Sequence, residues 1–305
     1  METAIEPDDL RLLARLWLLE PDAARAADAA SRLGLPAAEL GELAAAYADL
    51  FLLNVYPYGT VFTDPNGELN GPAAQHLVAL YAAHGYEPAR LGPCGAPDHL
   101  GACLGFAAHL QDAQRASQGF GPALLAWAPV CCLAVEREPL ANPFYSALAG
   151  RTLAWLLSAE SKLAAGGDLG ASAAAAGQPA FGMADDAEDE VDLRRLVCFF
   201  LAPARCGIYL SRGHLGQIGR GLGLRLPFGS RFEVAEALFQ AAGDTGQVEP
   251  LIAALEAEID LWRGRYAQWS ERQPLWQAAA GPWLARTSSA IDWLHAMRHD
   301  AAQPR

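Results

Sequence analysis

Several signals that would narrow the function of a 305-residue chain are missing here. The six cysteines, at 94, 103, 131, 132, 198 and 206, form no CxxC pair and no regular spacing. Such usage points to buried free thiols in a reducing compartment rather than to a disulfide framework. The N-terminal METAIEPDDL is acidic and has no basic region leading into an apolar run, so it does not read as a signal peptide. The longest apolar run, Leu124–Val135, is about half the ~20 residues of a membrane span and contains Pro129. No stable membrane insertion is expected, and the reading is a cytoplasmic, soluble protein. No GxSxG or HExxH occurs. Gly216, Gly219, Gly221 and Gly223 fit neither GxGxxG nor GxxxxGK[ST], and no strand precedes them. No nucleophile can be placed beside a base held by a third group, so no catalytic set is assigned. Ile, Val and Thr are few, which removes the usual material of sheets.

What is present is Ala and Leu, within a hydrophobic share of 52%. That bias favours helices. Acids outnumber bases, 35 to 22, giving a net charge of −13. A surface of that sign disfavours nucleic acid and anionic membranes and suits a basic partner; solubility alone is the competing explanation.

Helix punctuation is dense. Pro7-Asp8-Asp9 opens a first helix to about Leu19, Asp22 caps a second that Gly34 ends, and Pro36 starts a third to about Leu52. Residues 53–71 read as a long aromatic loop, with Tyr56, Tyr58 and Phe62 either pinning it to the core or lining a pocket. Pro72 opens the next helix, which ends near Gly85. Leu100, Cys103, Leu104, Ala107 and Leu110 then form an apolar stripe, with Asp98 as the expected N-cap. Pro122 starts a helix kinked at Pro129, and Pro143 starts one reaching about Glu160.

The composition changes at residues 161–190. An Ala/Gly-rich stretch is followed by six acids between Asp185 and Asp192, read as a linker with a solvated acidic end. Helical spacing resumes at 191–201. Further helices follow from Ser211 to Leu222, Arg231 to Ala242 and Pro250 to Trp269, with a last one introduced by Gly281-Pro282. Trp262, Trp269, Trp276 and Trp283 recur every seven residues, suggesting a packing seam. Cys94, His99, Cys103 and His109 form a candidate metal set. His109 falls about 80° from the face of His99 at helical pitch, and no metal or cofactor is assigned.

Three segments, in order, carry a resemblance: Tyr47–Gly71, Gly85–Leu110 with its Pro97-Asp98-His99, and Trp127–Leu148. They resemble the TorD/DmsD/NarJ-type redox-enzyme maturation chaperones. Tyr58-Gly59-Thr60 departs from the pattern, which carries an acid where Gly59 stands. The resemblance implies an all-α bundle over residues 1–160; composition and spacing add the linker at 161–190 and a helical extension of unassigned role at 191–305. It also implies a non-enzymatic chaperone that binds the leader of an apo-molybdoenzyme catalytic subunit before cofactor insertion. The leader would lie near Tyr47, Phe51, Tyr58 and Trp127, with Asp98 and His99 at its polar end and Gly85 and Pro97 also among the contacting residues. Two other classes stay open: a hydrolase using His99 as base oriented by Asp98, and a helical scaffold.

Overall fold

Helix α6, Leu100–Asp112, is buried at nearly every position from Leu100 to Leu110. In this computed structural model it is the helix around which the first half of the chain is built. The structure describes residues 5–65, 72–93, 95–115, 117, 119–139, 141–158, 193–272 and 274–301. The expected linker at 161–190 lies outside these residues. Backbone proximity divides the chain into one unit of Met1–Thr63 with Gly67–Ala173, and another of Asp64–Asn66 with Ala174–Arg305. Among the described residues no strand is present, and the protein is all-α.

In the first unit α1 (Pro7–Leu18) lies directly on α6. The approach is so close that a Cβ on Gly101 would stand 2.5 Å from the carbonyl oxygen of Ala14. Only glycine allows that distance. Helix α2 (Ala23–Leu33) follows, capped by Asp22, whose carboxylate accepts from the Arg25 amide, and closed by left-handed Gly34. Helix α3 (Leu40–Tyr47) does not end where an ordinary helix would: it widens into a π-helical stretch, Ala48–Asn54. The expected loop after it contains a short helix, α4 (Gly59–Thr63). Helix α5 (Pro72–Ala83) and a 3₁₀ turn at Pro88–Arg90 lead to α6.

Instead of one helix kinked at Pro129 there are two, α7 (Phe120–Leu125) and α8 (Ala128–Arg137). Pro129 sits in the first turn of α8, where its missing amide would have had no partner anyway. The stretch Phe120–Arg137 has the length and mean hydropathy, 1.2, of a membrane span, but 83% of it is buried in the protein. Its apolarity is that of a core. Helix α9 (Pro143–Ser158) completes the unit. It is tied to α1 by the Trp17 indole N–H donating to Thr152 Oγ1 at 2.9 Å.

The second unit begins with α10 (Leu193–Leu201), α11 (Pro203–Cys206) and α12 (Arg212–Gly221). Helix α13 (Arg231–Asp244) opens on a full capping box between Ser230 and Glu233. Two long helices, α14 (Val248–Arg272) and α15 (Pro274–Ala301), then pack along one another. Glu249, at the start of α14, holds Arg298, near the end of α15, so the pair is antiparallel. The tryptophan seam is real: Tyr266 touches Trp262, Trp269 and Trp283, and Trp269 touches Trp276. The expected helix start at Gly281-Pro282 is not observed. Helix α15 starts at Pro274 and runs through Pro282. Pro282 removes one backbone hydrogen bond, yet Trp276 and Trp283, two turns apart on one buried face, hold both halves to α14.

Candidate functional site

The Pro97-Asp98-His99 loop enters α6 pinned on several sides. The Leu100 amide donates to the Pro57 carbonyl at 2.8 Å, and the Gly59 amide donates to the Asp98 carbonyl at 3.0 Å. These bonds make an isolated antiparallel bridge between Tyr58 and His99. The Tyr81 hydroxyl donates to the Pro97 carbonyl at 2.8 Å, and burial raises the Tyr81 pKa well above its ordinary value. Trp127 closes over Gly59, where a Cβ would come within 2.9 Å of the indole, and stacks on Phe62.

The N-cap of α6 is His99, not Asp98. Its Nδ1 accepts from the Gly101 amide at 3.0 Å, which puts the imidazole proton on Nε2. Burial lowers the His99 pKa to about 4. A proton on Nδ1 would also face the Gly101 N–H, so the geometry opposes charging as well. Asp98, 2% exposed, sends Oδ2 across to the Thr60 amide at 2.7 Å and so caps α4 from 38 residues away. Its other oxygen, Oδ1, is buried without a partner, as is the Thr60 hydroxyl. The Asp98 carboxylate and the His99 imidazole are each directed to a backbone amide. The oriented acid–base pair required by the hydrolase reading is therefore not formed.

The sequence-derived residues fall into three groups. Pro97, Asp98, His99, Tyr58 and Trp127 come together, with the Tyr58 ring edge-on to His99 at 4.9 Å. Tyr47 and Phe51 instead belong to an aromatic cluster with Trp17 and Tyr145. There the Tyr47 hydroxyl donates to the Trp17 carbonyl, and burial raises the pKa of both tyrosines. Gly85 stands apart, in the left-handed turn that ends α5. The next residue, Tyr86, reaches the Ala102 carbonyl at 3.1 Å. Phe51 and Trp127 are buried, whereas Tyr47, Tyr58 and Pro97 are half-buried.

Other features were not anticipated. Leu52 and Leu53, on the π-helical stretch, are 60% and 38% exposed, and Leu40 on α3 is exposed too. The run Leu50-Phe51-Leu52-Leu53 carried the signal, because one helix face cannot bury four consecutive apolar residues. In the second unit Ser211 Oγ lies 2.8 Å from His214 Nδ1, and His214 Nε2 lies 3.9 Å from Glu258. The residue types are those of a hydrolytic triad. Ser211, however, is fully buried and caps α12 by accepting from the His214 amide. It is a structural cap.

The first unit is thus α-helical and arranged around a buried Asp-His helix entrance. Residues 19–132 match the family model described as nitrate reductase delta subunit, of the NarJ/TorD chaperone type. The resemblance read from the sequence is therefore to this family, and the match supports a molybdoenzyme maturation chaperone. It spans α2 to the early turns of α8. No curated protein and no solved structure matches the chain.

Proposed function

We propose that the protein is a cytoplasmic, system-specific chaperone that binds the N-terminal leader of a molybdoenzyme catalytic subunit. It would keep that subunit in its apo form until the molybdenum cofactor is inserted, before export or assembly. The carrying observation is the family match, which covers the Pro97–His99 loop, the π-helical stretch and Trp127 together. In this reading the work is recognition without turnover. The leader's apolar side chains lie over Tyr58 and Trp127 beside Pro97, while Tyr47 and Phe51 offer a second aromatic contact and Gly85 shapes the turn after α5. Asp98 Oδ1, an acceptor already removed from water and unpaired, is where an arginine or amide of the leader would bond. His99, held neutral, keeps the loop in register. The cofactor enters the client, and no residue here is assigned to it.

The test is co-purification of the tagged protein from its own cells, followed by affinity measurement with the leader peptide of the captured subunit. Capture of an apo-molybdoenzyme subunit, with leader affinity lost on replacing Asp98 and His99 by Ala, supports the reading. A leader that binds the double variant as tightly as the native protein removes the site.

A further inference from the structure

The role of the second unit lies outside the family match, and its charge is its most distinctive property. Residues 193–232 contain seven arginines and no aspartate or glutamate, within a chain of net charge −13. Part of this basic segment folds back on itself. The loop after α12 returns along the helix that precedes it. Leu226 covers Gly219, where a Cβ would stand 2.6 Å from the leucine methyl, and further along the Arg212 guanidinium sits 4.7 Å from the Phe228 ring centre. Helix and returning loop thus display Arg220 and Arg225 near one end and the stacked Arg212–Phe228 pair near the other. Phe228 is 89% exposed, and Arg220 and Arg225 are exposed. Among the described residues Arg212, Arg220 and Arg225 have no carboxylate partner, whereas Arg11, Arg32 and Arg298 each have one.

We propose that this face docks a short acidic peptide segment of a protein partner, with Phe228 taking an apolar side chain and the three arginines taking flanking carboxylates. Bidentate guanidinium–carboxylate pairing and cation–π stacking are the strengths of arginine. The distance from Arg212 to Arg220 is about 12 Å at helical rise, the reach of about four extended residues. Two alternatives fit less well. Non-specific nucleic-acid binding draws on many phosphate contacts, and an anionic bilayer is larger still. Either would bring a long run of negative charge against a protein that is itself strongly acidic.

The experiment uses the full chain and fluorescence anisotropy. The probe is a labelled hexapeptide in which two acidic residues flank each side of a Leu-Trp pair. Its controls are the same peptide with Gln and Asn for the acids, and a short oligothymidylate. Saturable binding of the acidic peptide is expected, weakened at least about tenfold by combining Arg212→Glu, Arg220→Glu and Arg225→Glu. The neutral peptide and the oligonucleotide should bind at least about tenfold more weakly than the acidic peptide. Arg225→Glu alone, on the exposed loop, gives a partial loss and keeps the test valid if the triple variant does not fold. Equal binding of acidic and neutral peptides, tighter binding of the oligonucleotide, or affinity unchanged by charge reversal overturns the proposal. All three positions lie outside residues 19–132, so leader binding by the first unit should be unaffected in every variant.

Discussion

The two units solve the packing of helices in opposite ways. The first uses short, interrupted helices. Its break after Asn54 is closed by backbone bonds across sequence, the Leu100–Pro57 and Gly59–Asp98 pairs. The second uses two long helices, zipped by tryptophans and clasped at the end by Arg298 between Glu249 and Glu256. Regular helices leave few backbone groups for a ligand, so such a unit recognises partners with surface side chains. Interrupted helices bring polar backbone and buried polar side chains to one place, and the family match falls on that half.

The largest expected effect separates the units by their cores. Trp262 is fully buried in the seam, and its indole donates to Glu258 at 2.9 Å. Trp262→Ala should cost about 4 kcal/mol. Urea unfolding should show the loss in the second unit, with leader affinity unchanged. Equal loss of leader binding would mean that the two halves act as one cooperative body.

Acid should act on the first unit. His99 titrates near 4 in the folded protein and near 6.5 when unfolded. Above pH 6.5 neither state binds the proton, so the contribution is fully present. Between 6.5 and 4 the unfolded chain takes up a proton that the folded one refuses, so stability falls as pH falls. The loss should approach an order of 3 kcal/mol by about pH 4. His99→Asn, which keeps a side-chain acceptor for the Gly101 amide, should flatten that part of the profile. Parallel pH profiles for the two proteins would show that His99 is not the group responsible.

A third effect tests close approach. Gly101→Ala pushes a methyl onto the Ala14 carbonyl, a backbone atom that cannot step aside, and should cost about 2–3 kcal/mol. Gly264→Ala on α14 meets nothing within 4 Å and should stabilise by just under about 1 kcal/mol. The thermal midpoints should therefore move in opposite directions.

These contrasts follow what could be read in the chain. Helix identity was legible where local chemistry decides it: Asp22 as a cap, Gly34 as a stop, Ser211 as a helix start, the tryptophans as a seam. It was not legible where distant packing decides. On the π-helical stretch Leu50 and Phe51 are buried while Leu52 and Leu53 are left outside, a division that the run of four apolar residues does not announce. Helix α15 ignores Pro282 because two tryptophans hold it. Asp98 looked like the cap of the helix beside it, yet it caps α4 instead, through a contact spanning 38 residues that no spacing rule reaches. At the candidate site the residues were legible as a set. Their division between a helix entrance and a separate aromatic cluster was not.

The smallest expected change in stability is also the most informative about recognition. Asp98 has two oxygens in different situations, Oδ2 bonded to the Thr60 amide and Oδ1 buried with nothing. Asparagine caps helices about as well as aspartate. Asp98→Asn can therefore keep the Thr60 bond through its amide oxygen, and its stability should change by less than about 1 kcal/mol. The NH₂ that replaces Oδ1 accepts nothing. If the carboxylate only organises α4, leader affinity will track stability and barely move. If Oδ1 receives an arginine of the leader, affinity should fall by at least about tenfold while the fold persists. A leader with lysine for arginine should then lose binding to the native protein and little more to the variant, because lysine cannot make the two-pronged contact. Salt supplies the last control: a buried pair is screened weakly, so this loss should persist at high ionic strength.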